Sequence, residues 1–302
     1  MKKPQWIVAS VALLLTFTLY ALTQDKLFGH HPKKASAAAP AVADGHEGHD
    51  HAKGEAHTDS EGPSAALSID TILNHAKEAL SQSQRTRVSF LENSITRGDV
   101  GEQKKHLFHQ LSEFWKDTAR VFEPFAWYTG EAARLENSEN SLTFAAHLFL
   151  DNLKSEQNPE MRTWKASQAK DLFERSLKVN PANDSAKVGL GATFLFGFSQ
   201  SPMEGILKIR EVVERDSTNV YAQLTLGQAS IVSGQLDKAA ERFKKVVVLQ
   251  PANLEALLSL ADVYERQGNK KAAVEWYTKS LSQIGIERLR KEVEQRIEQL
   301  KQ

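Results

Sequence analysis

In the second half of this chain, small and bulky residues return in a fixed order at a period of about 34 residues, and few folds accommodate that pattern. Leu226-Gly227 is followed by Gly234, Ala239, Phe243, Val246 and Pro251. Leu260-Ala261 is followed by Tyr264, Gly268, Ala273, Tyr277 and Ser280. Leu190-Gly191 and Phe194 open an earlier copy, whose second half supplies Gly205, Ile209 and Val212. Before that, Leu142, Ala145, Ala146 and Phe149 lead into Ala169, Phe173, Ser176 and Pro181. Apolar residues recur at three and four, as in Leu107, Phe108, Leu111, Phe114 and Trp115, which is the spacing of one helix face. No convincing alternating segment occurs, so the fold class is all-α. Small residues such as Gly191, Gly227, Ala239, Ala261 and Ala273 allow two helices to approach closely. Phe149, Phe194 and Tyr264, with Phe173, Phe243 and Tyr277, fill the space between helix pairs. Pro181 and Pro251 stop one helix and redirect the chain. Asp184, Asn219 and Asn253 stand where a side chain caps a helix start.

This ladder resembles the tetratricopeptide-repeat family, most closely over residues 184–285 and more loosely over 142–181. The resemblance implies an α-solenoid of stacked helical hairpins, with about four repeats in 138–285. There are departures. Leu142, Lys187, Gln223 and Leu257 stand where the family carries Trp, Ser217 replaces a repeat-ending proline, and about eleven extra residues lie around 155–164. Residues 64–137 read as divergent helical hairpins, with 122–128 part of a degenerate second helix. Residues 286–302 form an amphipathic helix with Ile286, Leu289, Val293, Ile297 and Leu300 on one face. Such a helix caps a solenoid, with a coiled-coil contact to another chain as the alternative.

In the family, the first helices of successive hairpins line a concave surface that holds peptides. Carried over in phase, the resemblance implies Asn140, Thr143, Phe144, His147 and Asp151, then Val188, Ala192, Leu195 and Phe196, as its wall. Tyr221, Leu224, Gln228 and Ile231 follow, then Glu255, Leu258, Asp262 and Arg266. The Lys and Asn clamp with which one branch of the family grips a peptide carboxylate is missing here, and Glu255 and Asp262 would repel such a group. A largely apolar groove with aromatic walls suits a strand or helix docking by hydrophobic anchors.

The N-terminus carries a different signal. Met1-Lys2-Lys3 precedes an apolar run from Trp6 to Leu22, at the short end for a spanning helix, with Trp6 and Tyr20 near its ends. Residues 1–22 are expected to be an uncleaved single-pass anchor in the cytoplasmic membrane, with a cleaved signal peptide as the alternative. The N-terminal lysines favour a periplasmic body, although Lys26, Lys33 and Lys34 weaken that orientation. Residues 23–63, built of Ala, Pro, Gly, His and charged residues, are expected to be a disordered tether. Six of the ten histidines fall there, three of them in His46-Glu47-Gly48-His49-Asp50-His51. Imidazoles at that spacing bind Zn²⁺, Ni²⁺ or Cu²⁺ weakly, while a solvated linker needs no metal at all, and both readings stand.

Cysteine is absent, which excludes disulfides, thiolate metal sites and catalytic thiols. Basic and acidic residues balance at 38 each, which argues against a nucleic-acid partner. No nucleophile elbow, phosphate loop or zinc-protease helix occurs, and exposed charges read as ordinary helix pairs, for example Glu241 with Lys245. The expectation is therefore a non-enzymatic, membrane-tethered scaffold that needs no cofactor and binds other proteins or peptides. The alternative is a metal-handling accessory protein in which the tether binds the metal and the repeats dock it.

Overall fold

The computed structural model describes residues 67–97, 101–198 and 201–302, and among them there are helices and no strands. The expected anchor (1–22) and tether (23–63) lie outside the described residues. Among the described residues no helix is long and apolar enough to cross a membrane.

Four hairpins form the main stack: α5 (Glu139–Leu153) with α6 (Pro159–Val179), α7 (Asp184–Gly197) with α8 (Pro202–Arg215), α9 (Val220–Val232) with α10 (Leu236–Leu249), and α11 (Leu254–Arg266) with α12 (Lys270–Leu281). They are preceded by α1 (Ile69–Glu78), α2 (Gln82–Arg97), α3 (Gly101–Glu113) and α4 (Phe122–Glu136), and followed by α13 (Glu287–Lys301). From α2 onwards each helix packs on its chain neighbours, and α1 packs on α4. The first helices of adjacent hairpins also touch, α5 on α7 and α7 on α9.

Local chemistry sets the boundaries of each repeat. Asn183, Asn219 and Asn253 accept hydrogen bonds from the backbone N–H groups of Ala186, Ala222 and Ala256 at 2.9, 3.0 and 2.9 Å. Asp184, expected as a cap, is instead the first residue of α7, one position inside its capping neighbour. Its charge still suits the positive helix end, and it pairs with Arg215 of α8. Where Ser217 replaces the proline, Asp216 makes the turn: its carboxylate accepts from the Thr218 backbone N–H at 2.8 Å and from the Thr218 hydroxyl. Hydrogen bonding from the Thr218 hydroxyl and backbone holds that carboxyl below its ordinary range. The turns inside the last two full hairpins place Gly234 and Gly268 at φ +73° and +75°, the left-handed region that favours glycine.

Packing between helices follows the small-and-bulky ladder. Phe149, Phe173 and Phe243 are fully buried. Gly191 and Gly205 bring the backbones of α7 and α8 into contact. A Cβ on Gly205 would lie 2.3 Å from the Gly191 carbonyl oxygen, and one on Gly191 would lie 2.5 Å from Ile209.

Three features depart from the expected outline. The extra residues around 155–164 do not form a long loop, because most of them lengthen α6 to 21 residues against 14 in α8 and in α10. Pro159 at the first turn and Asn158 as cap start that helix early. Lys165, fully buried, ties the extension down: its ammonium meets Glu156 at 2.6 Å and Glu123 of α4 at 3.0 Å and donates to Asn152. Burial works against the Glu156 charge, but the hydrogen bonds from Lys165 and the Asn158 backbone outweigh it and hold the carboxyl below its ordinary range. Second, α3 widens into a π-helical turn at Phe114–Ala119, which lets adjacent Phe114 and Trp115 both enter the small core of α1–α4. Third, the expected Glu241–Lys245 pair does not form. Lys170–Glu174 and Lys279–Glu275 supply that spacing instead, at 2.9 and 2.7 Å.

At the other end, Leu289, Val293 and Ile297 of α13 are buried in one cluster with Leu258, Ala261 and Tyr277, and Arg296 pairs with Glu265. The apolar face offered to a coiled coil is thus used within the chain.

Replacing Gly205 by Val is expected to lower stability by at least ~1–3 kcal/mol, since backbone rather than a flexible side chain must yield. Thermal unfolding followed by circular dichroism reads this, and an unchanged midpoint would contradict the close approach.

Candidate functional site: the inner wall

On α5, Phe144, His147 and Asp151 are spaced three and four apart and so share a face. Phe144 is 52% exposed and Asp151 is also exposed, whereas His147 is half-buried. The His147 ring stands edge-on to Phe173 at 5.1 Å and lies 5.6 Å from the Tyr221 ring of α9. Its Nε2 is 3.0 Å from the Ser185 hydroxyl of α7. One imidazole thus touches three hairpins. Side chains two hairpins apart can meet only if the stack curves towards this face.

Electrostatics extend the cluster to a fourth hairpin. Burial, with Asp151 and Glu255 of α11 nearby, pushes the Tyr221 phenol upwards. Burial also raises the Glu255 carboxyl; Asp151 adds to the rise, while Lys154 and a hydrogen bond from the Gln228 side chain oppose it. His147 moves the other way, because burial disfavours its charged form. Lys154 lies with its ammonium 5.9 Å from the centre of the Phe196 ring.

The other expected wall residues divide into two groups. Val188, Ala192, Leu224 and Leu258 are buried, taken up by contacts between neighbouring hairpins. Leu195, Phe196, Gln228 and Ile231 remain half-buried, and Asn140 is exposed. Thr143 is half-buried, and its hydroxyl is 2.7 Å from that of Ser176. Asp262 is buried near the capping end, where Arg266 meets it at 2.8 Å. Burial raises the Asp262 carboxyl, and Arg266 opposes the rise. Arg266 itself stays exposed. His46, His49 and His51 lie outside the described residues. Among the described residues, no group of three or more acidic or histidine side chains could hold a metal ion.

The meeting of His147 with Tyr221, and of Gln228 with Glu255, had only a partial signal in the sequence. Each holds an inner-helix position, but superhelical curvature brings them together and no local spacing encodes it.

The tetratricopeptide repeat family model matches residues 224–285, which span α9 to α12 and the turn after them. Those residues are thus built of tetratricopeptide repeats. Several solved structures are similar to it. MamA from Desulfovibrio magneticus RS-1, taken from its residue 41 onwards, is 24% identical over 62% of this chain and 96% of its own, with a TM-score of 0.42. The type IV pilus biogenesis factor PilW is 19% identical over 60% and 78%, with a TM-score of 0.45. YrrB, described as a tetratricopeptide-repeat protein with an unusual peptide-binding site, is 18% identical over 68% and 97%, with a TM-score of 0.40. No curated protein sequence matches the chain.

The raised Glu255 carboxyl carries a sign that can be checked. A carboxyl whose folded pKa lies above its unfolded value binds more protons in the folded state, so it erodes stability as pH rises from the unfolded value, 4.5, through the folded one. Glu255→Gln mimics the protonated form. It is expected to raise the melting temperature at neutral pH, with the gain fading as pH falls to 4.5. A gain independent of pH would contradict the assignment.

Proposed function

We propose that this chain is a tetratricopeptide-repeat scaffold that binds a polypeptide guest along the inner wall of its helical stack. The observation that carries this reading is the stripe of Phe144, His147 and Asp151, with Tyr221 beside it. A large aromatic side chain stays half-exposed there although neighbouring wall positions are packed shut. Exposed aromatic surface beside half-buried polar groups suits an anchor residue of a docked strand or helix.

The apolar run from Trp6 to Leu22 supports the further reading that the scaffold is tethered to the cytoplasmic membrane, and Lys2 and Lys3 support a periplasmic body. A topology reporter fused after Gln302 tests that placement. The His46-to-His51 segment supports a second reading, in which the tether handles a divalent metal ion. Calorimetric titration with Zn²⁺ of the full chain, and of the chain lacking residues 43–57, separates the two.

A photo-crosslinking side chain introduced at position 144 in membranes is expected to give a discrete protein adduct. The same group at position 248, where Val248 is 80% exposed on a second helix, is expected to give none. Equal labelling from both positions, or none from 144, would sink the inner-wall reading.

A further inference from the structure

The ring contact between His147 on α5 and Tyr221 on α9 skips the hairpin that lies between them. The two helices come together here through the curvature of the stack. The imidazole is held on three sides: Phe173 of α6 edge-on at 5.1 Å, Tyr221 at 5.6 Å, and the Ser185 hydroxyl of α7 at 3.0 Å from Nε2. Phe173 is fully buried, so the core side is closed to the ring. The other side is the open wall, where Phe144 stands exposed three residues earlier on the same face.

Few groups can compensate a charge on this ring. On α5 itself Asp151 favours the protonated imidazole and Lys154 opposes it. From α6 the facing side chain is the uncharged Phe173. On α7, Asp184 and Lys187 flank Ser185, and Arg215 and Glu211 engage them. From α9 the facing titratable group is the Tyr221 phenol, which burial keeps neutral. Attraction to the two rings offsets part of the cost of charging the imidazole. Loss of hydration is the larger influence, and it holds the His147 pKa below the ordinary histidine value.

We propose that His147 is a pH-sensitive hinge of the inner wall: its neutral ring holds the stack curved, and protonation in mild acid draws it into water, parts α5 from α9 and flattens the wall. Histidine is the side chain whose charge changes in that range. The sign follows from linkage. A histidine with a lowered folded pKa supports the curved form fully above its unfolded value, 6.5, and that support is lost as pH falls from there through the folded value. Where the wall holds a guest, acid then releases it. That consequence rests on the reading of the wall as a binding face, and the hinge does not.

The absence of cysteine makes the test direct. Asn140→Cys on α5 and Val232→Cys on α9, both at exposed positions, carry a pair of spin labels in the full chain, and pulsed electron paramagnetic resonance reads their separation. Between neutral pH and about pH 5 the separation is expected to shift to longer distances, with a midpoint below 6.5. His147→Phe keeps a ring against Phe173 and Tyr221, and His147→Gln keeps a polar contact for Ser185. Neither side chain takes a proton in this range, so both variants are expected to lose the shift, with helical circular dichroism checking the fold. An unchanged separation in acid, or a shift that persists in these variants and so belongs to Glu255 or Asp262, would overturn the hinge. No guest enters the measurement. Failure here leaves the guest reading standing, and failed crosslinking at position 144 leaves the hinge standing.

Discussion

A two-helix hairpin cannot bury its own apolar face, and everything in this chain follows from that deficit. Each hairpin completes its neighbour, so the core is a line of contacts rather than a centre. The line is held where backbones meet, at Gly191 against Gly205, and where an aromatic ring reaches into the next hairpin, as Phe173 does beneath Gly189. Because each junction repeats the one before it with a small rotation, the stack curves. Curvature in turn brings the His147 and Tyr221 rings together from helices far apart in sequence. The wall is a product of the stacking, not of any one repeat.

Such a stack needs both ends covered, and this chain covers them differently. At the C-terminal end α13 lays Leu289, Val293 and Ile297 on the last hairpin and turns a strongly charged face outwards. At the other end α1–α4 form a small core of their own around Trp115, joined to the repeats through α4 and the buried Lys165 cluster. That cluster is an uneven device. Its ion pairs are closely made, and removing either glutamate would leave the buried ammonium with a single carboxylate, which is costlier than losing an exposed pair.

Much of the architecture was legible because repeat proteins write the same instruction several times. The ladder from Leu190 to Ser280 identified helix pairs, their close approaches and their turns, and the structure places those residues in those roles. What escaped were features with a single copy. The π turn at Phe114–Ala119 has no sequence mark beyond two adjacent aromatics, and the lengthening of α6 read only as extra residues because its cap, Asn158, sits well before the repeated positions. The cap of α7 was misplaced by one residue because Asn183 and Asp184 are both good capping types, and only backbone geometry separates them. The wall residues were legible as positions but not as surfaces. Whether Val188 is covered and Phe144 open depends on the neighbouring hairpin, which local spacing does not report.

The absence of cysteine makes the openness of the inner wall directly measurable, since any introduced thiol is the only one in the chain. Cysteines placed singly at positions 144, 188 and 224 of the purified full chain can be timed for reaction with a maleimide. An unplugged wall on a folded stack predicts rapid labelling at 144 and strong protection at 188 and 224. Protection at 144 equal to that at 188 would mean that the wall is already filled, and no guest could use it.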